Sequence, residues 1–138
     1  MPILPFFAEK LTKRSYDCLI IDGSARISEG TFNIAKVANL IIQPVEASLD
    51  DLNPAIREFN GLVKSRVNKN KLVFVINRIS SPVEEKAGYY IFPLSLSEKI
   101  SYREAQNQGL SISEVKYPRL SKQAQELVKS IIKKIGTI

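Results

Sequence analysis

The chain has 138 residues, the length of one ordinary domain, and its 44% hydrophobic and 25% charged residues are typical of a globular protein. Its 20 Lys and Arg residues against 14 Asp and Glu residues give a net charge of +6. No His and a single Cys are present, which excludes a Ser-His-Asp triad, an imidazole metal ligand, an internal disulfide and a multi-Cys zinc site.

The first residues carry no targeting signal that we can identify. Their short apolar stretch is broken by Pro2 and Pro5 and has no basic region before it, which is unlike a signal peptide. No apolar run approaches the roughly 18 residues of a membrane span. We therefore expect a cytoplasmic protein without membrane contact.

Four short apolar runs predict β-strands. They are Tyr16–Asp22, Leu40–Val45, Lys71–Asn77 and Tyr89–Leu94. Each is rich in β-branched or aromatic residues and mostly continuous, as in strands that are buried on both faces of a parallel sheet. The first three are separated by stretches long enough for a helix, which indicates βαβ units.

Two helices are predicted between these runs. The first covers about Glu29–Ala38, where apolar residues form a broad side. The second is indicated by a stripe of apolar residues at Leu52, Ile56, Phe59 and Val63. Ser48 can cap a turn at 48–52, Asn53–Pro54 offers a second start, and we expect the helix to end near Asn68.

Two more helices follow the fourth run. Glu98–Gln106 can be helical, and the sequence Asn107–Gly109 ends it. The last helix has the clearest apolar face, with Ser121 as its expected cap and Gly136 as its stop. That face consists of Leu120, Ala124, Leu127, Ile131 and Ile135. The order of elements predicts one domain over residues 1–138, a three-layer α/β fold with a mostly parallel sheet flanked by helices.

The end of the first apolar run is the most informative local feature. Asp22 closes the run and is followed at once by Gly23. Ligands of parallel α/β sheets bind beyond the carboxyl ends of the strands, and an acid there can order a magnesium ion or a water molecule beside phosphates. The alternative is an ordinary Asp-Gly turn.

Four stretches, taken together and in order, resemble the ParA/MinD family of partitioning ATPases. They are YDCLIIDG at 16–23, ANLIIQPVEASLDDL at 38–52, KLVFVINR at 71–78 and YYIFPLSLSEKISYREAQNQGLSISE at 89–114. The resemblance covers roughly residues 10–136 and is strongest to members from plasmids or mobile elements. It implies a fold of the P-loop NTPase type and a role in DNA segregation.

The resemblance also implies roles for single residues. Asp22 matches the Walker B-type acid that organises magnesium and the hydrolytic water, and Gly23–Arg26 occupy the switch position with a sequence that departs from the common pattern. Asn77 matches the residue that reads the adenine edge, Arg78 follows it, and Pro93 matches the proline beside the adenine pocket. ATP and Mg²⁺ are thus the implied cofactors. Without the resemblance, Asn77 reads as a residue that ends a strand, and Pro93 as a sheet edge or bulge.

One part of the family's machinery is missing from this sequence. A P-loop ATPase needs a glycine-rich GxxxxGK[ST] loop whose amides and Lys hold the phosphates, and none of the six glycines lies in that context. The chain therefore resembles the C-terminal portion of the family fold, from a truncated or split gene or a reduced paralogue. We expect no ATP hydrolysis and no nucleotide binding by this chain alone.

The positive charge is concentrated in two stretches. Residues 61–71 hold four basic residues and no acid, and residues 114–138 hold six basic and two acidic residues, a local charge of 6 − 2 = +4. ParA-like proteins bind DNA non-specifically through basic residues near this region, and the candidates by position are Lys99, Arg103, Lys129 and Lys133. The alternative is that these residues form solvated helix surfaces.

Three interpretations remain open at this stage. The chain can be a ParA-like partition component that acts with a separately encoded N-terminal part, with a full-length ParA-like protein, with a ParB-like adaptor, with DNA or as a homodimer. It can be a non-enzymatic interaction module that keeps the fold without the chemistry. It can also be a gene remnant without function. The open edge left by missing strands is compatible with pairing to a partner.

Overall fold

A computed structural model of the chain describes residues 16–23, 28–46, 48–77, 88–92 and 100–137. The elements in chain order are α1 (Glu29–Val37), β1 (Ile41–Glu46), α2 (Leu49–Lys64), β2 (Leu72–Asn77), β3 (Tyr90–Ile91), α3 (Ile100–Asn107) and α4 (Pro118–Ile135). Single 3-10 turns lie at Lys69–Lys71 and Ile112–Glu114. Over these ranges, no helix has both the length and the apolar character needed to cross a bilayer.

The three strands form one parallel sheet in the order β1-β2-β3. Ile41 of β1 lies opposite Leu72 of β2, and Val73 of β2 lies opposite Tyr90 of β3. A parallel β1–α2–β2 unit is therefore present, and the predicted α/β class with a parallel sheet between helices is confirmed for this part of the chain.

The central strand β2 is buried on both faces, as its continuous apolar sequence predicts. Its even positions Leu72, Phe74 and Ile76 pack with α1 and α2 in one core cluster. Its odd positions Val73 and Val75 pack with Phe92 and with Leu127 of α4 in a second cluster. Helices thus cover both faces of the sheet, which gives three layers.

Helix α2 is held by specific residues at both ends. The Ser48 hydroxyl accepts a hydrogen bond from the Asp51 amide at 3.2 Å, and the helix continues through Pro54, so the second start at Asn53–Pro54 is not used. At the other end Arg66 adopts a left-handed φ of 68°. The Val67 amide then donates to the Leu62 carbonyl and the Arg66 amide to the Val63 carbonyl, which is a Schellman motif.

Helix α3 ends in the same motif with glycine in the left-handed position. Gly109 has a φ of 73°, the Leu110 amide donates to the Ala105 carbonyl at 2.9 Å, and the Gly109 amide donates to the Gln106 carbonyl at 3.0 Å. The prediction that Gly109 ends this helix is therefore confirmed. The Tyr102 hydroxyl fastens α3 to α4 by donating to the Leu120 carbonyl at 2.8 Å.

Three predicted elements differ from the structure. The strand over Tyr16–Asp22 is wrong: this segment has no regular structure and Ile20 is 88% exposed. Apolar sequence alone does not make a strand, because pairing and burial supply most of its stability. Helix α4 begins at Pro118 rather than after Ser121, whose hydroxyl instead donates to the Ser113 carbonyl. The last strand is the short β3, and the structure describes nothing of 93–99.

Candidate functional site

The carboxyl edge of the sheet, where the strands end, is where the sequence predicts a nucleotide site. Glu46 ends β1 and lies opposite Asn77, which ends β2, so Asn77 does stand at the end of a buried strand. Only the backbone of Asn77 is described. Arg78, Pro93 and Lys99 lie outside the described residues. The adenine-pocket assignments therefore stay predictions.

Asp22 is not placed at the end of a strand. It is exposed, it belongs to the irregular segment 16–23, and Gly23 beside it has no atom within 4 Å of where a Cβ would be. The rest of the predicted switch loop, residues 24–26, lies outside the described residues. The proposed position of Asp22 beyond a buried strand thus needs correction, since the strand that should carry it does not form.

An open groove of about 270 Å³ lies between β1 and α2. Its lining holds three carboxylates and no basic residue, namely Gln43, Pro44, Val45, Glu46, Asp51, Pro54, Ala55 and Glu58. The Gln43 amide donates to Glu58 at 2.9 Å, and the Ser48 hydroxyl donates to Asp51 at 2.7 Å. Such a groove repels phosphate. No cluster of three or more metal-ligating side chains occurs in the described part of the chain.

The opposite, amino edge of the sheet, where the strands begin, is basic. Helix α2 ends here, because the connection from Ser65 to β2 is only a few residues long. Helix α4 also ends here, since the Lys134 ammonium lies 4.1 Å from the ring centroid of Tyr90, the first residue of β3. The two basic stretches of the sequence thus meet at one end of the molecule.

Two cation–π pairs mark this edge. Lys69 lies over the ring of Tyr89 at 4.9 Å, and Lys134 over the ring of Tyr90. Tyr89 packs inward against Phe59 and Phe74, and its hydroxyl donates to the Asn60 side chain at 2.6 Å. Burial raises the pKa of Tyr89 above its ordinary value of 10.0. Tyr90 instead is 45% exposed, so its ring reaches the surface.

The predicted DNA-binding residues do not form one compact patch. Lys129 and Lys133 are exposed and stand one turn apart on α4. Arg103 is exposed on α3, whose neighbour Tyr102 contacts Leu120 in the first turn of α4. At 1.5 Å per residue, the helix from Leu120 to Lys133 is about 20 Å long. Arg103 and Lys133 therefore lie near opposite ends of α4.

Sequence reasoning did not predict the pairing of Lys69 and Lys134 with the two tyrosines. The available signal was a Tyr-Tyr pair at the start of an apolar run, with acid-free basic stretches elsewhere. Their proximity depends on the direction in which α2 and α4 cross the sheet, which periodicity does not give. Comparisons with protein-family models, with curated protein sequences and with solved structures find no match to this chain.

Proposed function

We propose that the chain is a ParA-like component of a DNA segregation system that contacts DNA non-specifically and does not hydrolyse ATP on its own. The observation that carries the proposal is the pair Lys129 and Lys133, exposed on a helix that packs on a parallel sheet. The ordered resemblance of the sequence to ParA/MinD proteins supplies the cellular role. In this proposal a full-length ParA-like protein supplies the nucleotide chemistry, and a ParB-like adaptor is a further partner.

The charge of α4 supports contact with duplex DNA. Lys122 lies 3.9 Å from Glu126, so its charge is partly matched, whereas residues 127–137 contain three Lys residues and no acid. Lysines that neutralise backbone phosphates release counterions, and affinity then falls steeply with salt. Contacts of this kind hold a protein on DNA without reading its sequence.

A salt titration tests the DNA contact. Fluorescence anisotropy of a labelled duplex is measured between about 50 mM and about 200 mM salt for the protein and for the Lys129→Gln/Lys133→Gln variant. The variant should bind more weakly, and its slope of log affinity against log salt should be shallower by about 2. The Lys116→Gln/Lys122→Gln variant has the same net charge and serves as control. A flat salt response in the parent protein contradicts the proposal.

The second candidate function is a non-enzymatic interaction module that keeps the α/β fold. The acidic lining of the groove beside β1 favours it, because Glu46, Asp51 and Glu58 oppose the binding of phosphates. Affinity capture with the tagged protein distinguishes the two functions. Recovery of a ParB-like or ParA-like protein supports a role in segregation, and recovery of other defined partners without any DNA affinity supports the module.

A further inference from the structure

We infer that the amino edge of the sheet is a binding surface for single-stranded nucleic acid. The surface consists of Arg66, Lys69, Tyr89, Tyr90 and Lys134, and we call it the amino-edge surface. Its residues differ from those of the duplex contact, Lys129 and Lys133, and it does not depend on a role in segregation.

The described residues of the amino-edge surface carry only positive charges. No acid occurs in residues 36–41, 64–72, 88–92 or 131–137, described stretches that lie at this end of the molecule. Arg66 and Lys69 are exposed and come from the α2–β2 connection, and Lys134 comes from the last turn of α4. A surface with only positive charges attracts a polyanion and concentrates it before contact.

The tyrosines favour nucleic acid over other polyanions. Tyr90 has an exposed ring, and its partner Phe92 stands at 88° to it, 5.5 Å away, which holds the ring in one orientation. Tyr89 packs inward against Phe59 and Phe74 and holds Lys69 at this edge, so Tyr90 is the ring that a base reaches. Fixed aromatic rings beside Lys and Arg are the platform on which bases stack while phosphates are neutralised. A poly-acidic peptide has no planar aromatic groups that could stack on such rings.

The exposed ring of Tyr90 favours single strands over duplexes. A base can stack on a protein ring only when its own face is free, and in a duplex that face is covered by the next base pair. Lys134 lies over the Tyr90 ring in the free protein. Its flexible stem allows the ammonium to move to a phosphate, which opens the ring to a base.

Anisotropy titrations with a labelled oligothymidylate of about twelve nucleotides and with a duplex of the same length test the inference. The single strand should bind at least about fivefold more tightly, since stacking adds to the phosphate contacts. With three cations on the surface, the salt slope should be about −2 for the single strand. In the Lys129→Gln/Lys133→Gln variant, which lacks the proposed duplex contact, equal affinity for the two forms overturns the inference, and so does equal affinity for polyglutamate.

Variants separate this surface from the duplex contact. Lys69→Gln/Lys134→Gln should weaken single-strand binding more than the equally charged Lys116→Gln/Lys122→Gln control. Tyr90→Phe keeps the ring and should keep affinity, whereas Tyr90→Thr should lose it, with folding checked by circular dichroism. The inference is overturned if Lys69→Gln/Lys134→Gln binds the single strand as tightly as its control, or if Tyr90→Thr binds it as tightly as Tyr90→Phe. If Lys129→Gln/Lys133→Gln loses duplex binding but keeps single-strand binding, the result supports two separate surfaces.

Tyrosine fluorescence gives an independent readout. The chain has no Trp and five Tyr residues, so its intrinsic emission reports on tyrosine. Stacking of a base on Tyr90 should quench part of this emission on titration with unlabelled oligothymidylate. The quenching should shrink in Tyr90→Phe although binding persists. Undiminished quenching in Tyr90→Phe places the contact elsewhere and overturns the assignment of Tyr90.

Discussion

The ammonium of Lys71 donates a hydrogen bond to the carbonyl oxygen of Ala38 at 2.9 Å. It also donates to the carbonyls of Lys36 at 3.1 Å and Ala35 at 3.4 Å. One side chain at the start of β2 therefore binds the carbonyls at the end of α1, which no longer have partners within the helix. A positive charge at this end also interacts favourably with the helix dipole.

Replacing Lys71 with Met should destabilise the fold by about 1–2 kcal/mol, because the apolar stem remains while the charged donor is lost. Urea unfolding followed by circular dichroism measures the change. Lys64→Met removes an exposed charge at the end of α2 and is the matched control, with an expected change within about 0.5 kcal/mol. Equal effects of the two substitutions would show that the bonds of Lys71 add nothing.

Arg66 and Gly109 occupy the same position of two Schellman motifs, and substitutions at these two positions should have opposite effects on stability. Arg66→Gly should stabilise the protein by about 0.5–1 kcal/mol, because glycine adopts a positive φ without the strain that a Cβ causes. Gly109→Ala should destabilise it by about 1 kcal/mol for the same reason. No atom lies within 4 Å of a Cβ at Gly109, so the effect is conformational rather than steric. Thermal or urea unfolding of both variants tests the pair; a destabilised Arg66→Gly would refute it.

Phe59 of α2 stacks on Phe74 of β2 with ring centroids 4.4 Å apart and is 2% exposed. Phe59→Ala should cost about 3–5 kcal/mol, since it removes a fully buried ring at the centre of the larger core cluster. That cost is a large share of an ordinary domain's stability, so Phe59→Leu, with a cost of about 1–3 kcal/mol, is the informative variant. Val63→Ala on the exposed side of α2 is the control. A neutral Phe59→Leu contradicts the packing.

Stability should fall at high pH. Burial raises the pKa of Tyr89 and of Tyr102 above their ordinary value of 10.0. Both hydroxyls are donors, to Asn60 and to the Leu120 carbonyl. The unfolded chain therefore loses these protons first, and stability that is full below about pH 10 is lost as the pH rises through the folded-state values. Urea midpoints from about pH 9 to about pH 11 should fall less in Tyr89→Phe/Tyr102→Phe.

ATP turnover by the isolated chain should not exceed that of Asp22→Ala. The sequence contains no GxxxxGK[ST] loop to hold the phosphates, and Asp22 lies in an irregular, exposed segment. Release of phosphate at millimolar ATP and magnesium measures the rate. Activity that Asp22→Ala abolishes would show that the acid acts in catalysis despite its position.

The long apolar patterns were sufficient to predict the centre of the fold. The continuous run around Phe74 predicts a doubly buried strand, and the structure buries it on both faces. The stripe through Phe59 predicts α2, and the structure buries Leu52 and Phe59 of that stripe while Val63 is exposed. The end of α3 at Gly109 follows from a single residue type that tolerates positive φ. These features depend on local sequence, which is why the sequence alone reveals them.

Other features depend on distant contacts and were not predictable. Leu19 and Ile20 have the composition of a strand, yet in the described chain they have no pairing partner and stay exposed. Arg66 takes a conformation usually given to glycine, because the buried Val67 fixes the turn that follows it. At the site, the sequence predicts where the strands end. It does not predict the charge at either edge of the sheet, because that charge depends on the direction in which the helices run.

The charge of the molecule differs between the two ends of its strands, so its charge distribution is polar along the strand direction. Acidic residues gather where β1 ends and α2 begins, at Glu46, Asp50 and Asp51, and basic residues gather where the strands begin. A negatively charged surface attracts one end and repels the other. Molecules that settle on such a surface would share one polarity, with the groove beside Pro44 pointing outward, so that a layer of them would display a uniform acidic exterior.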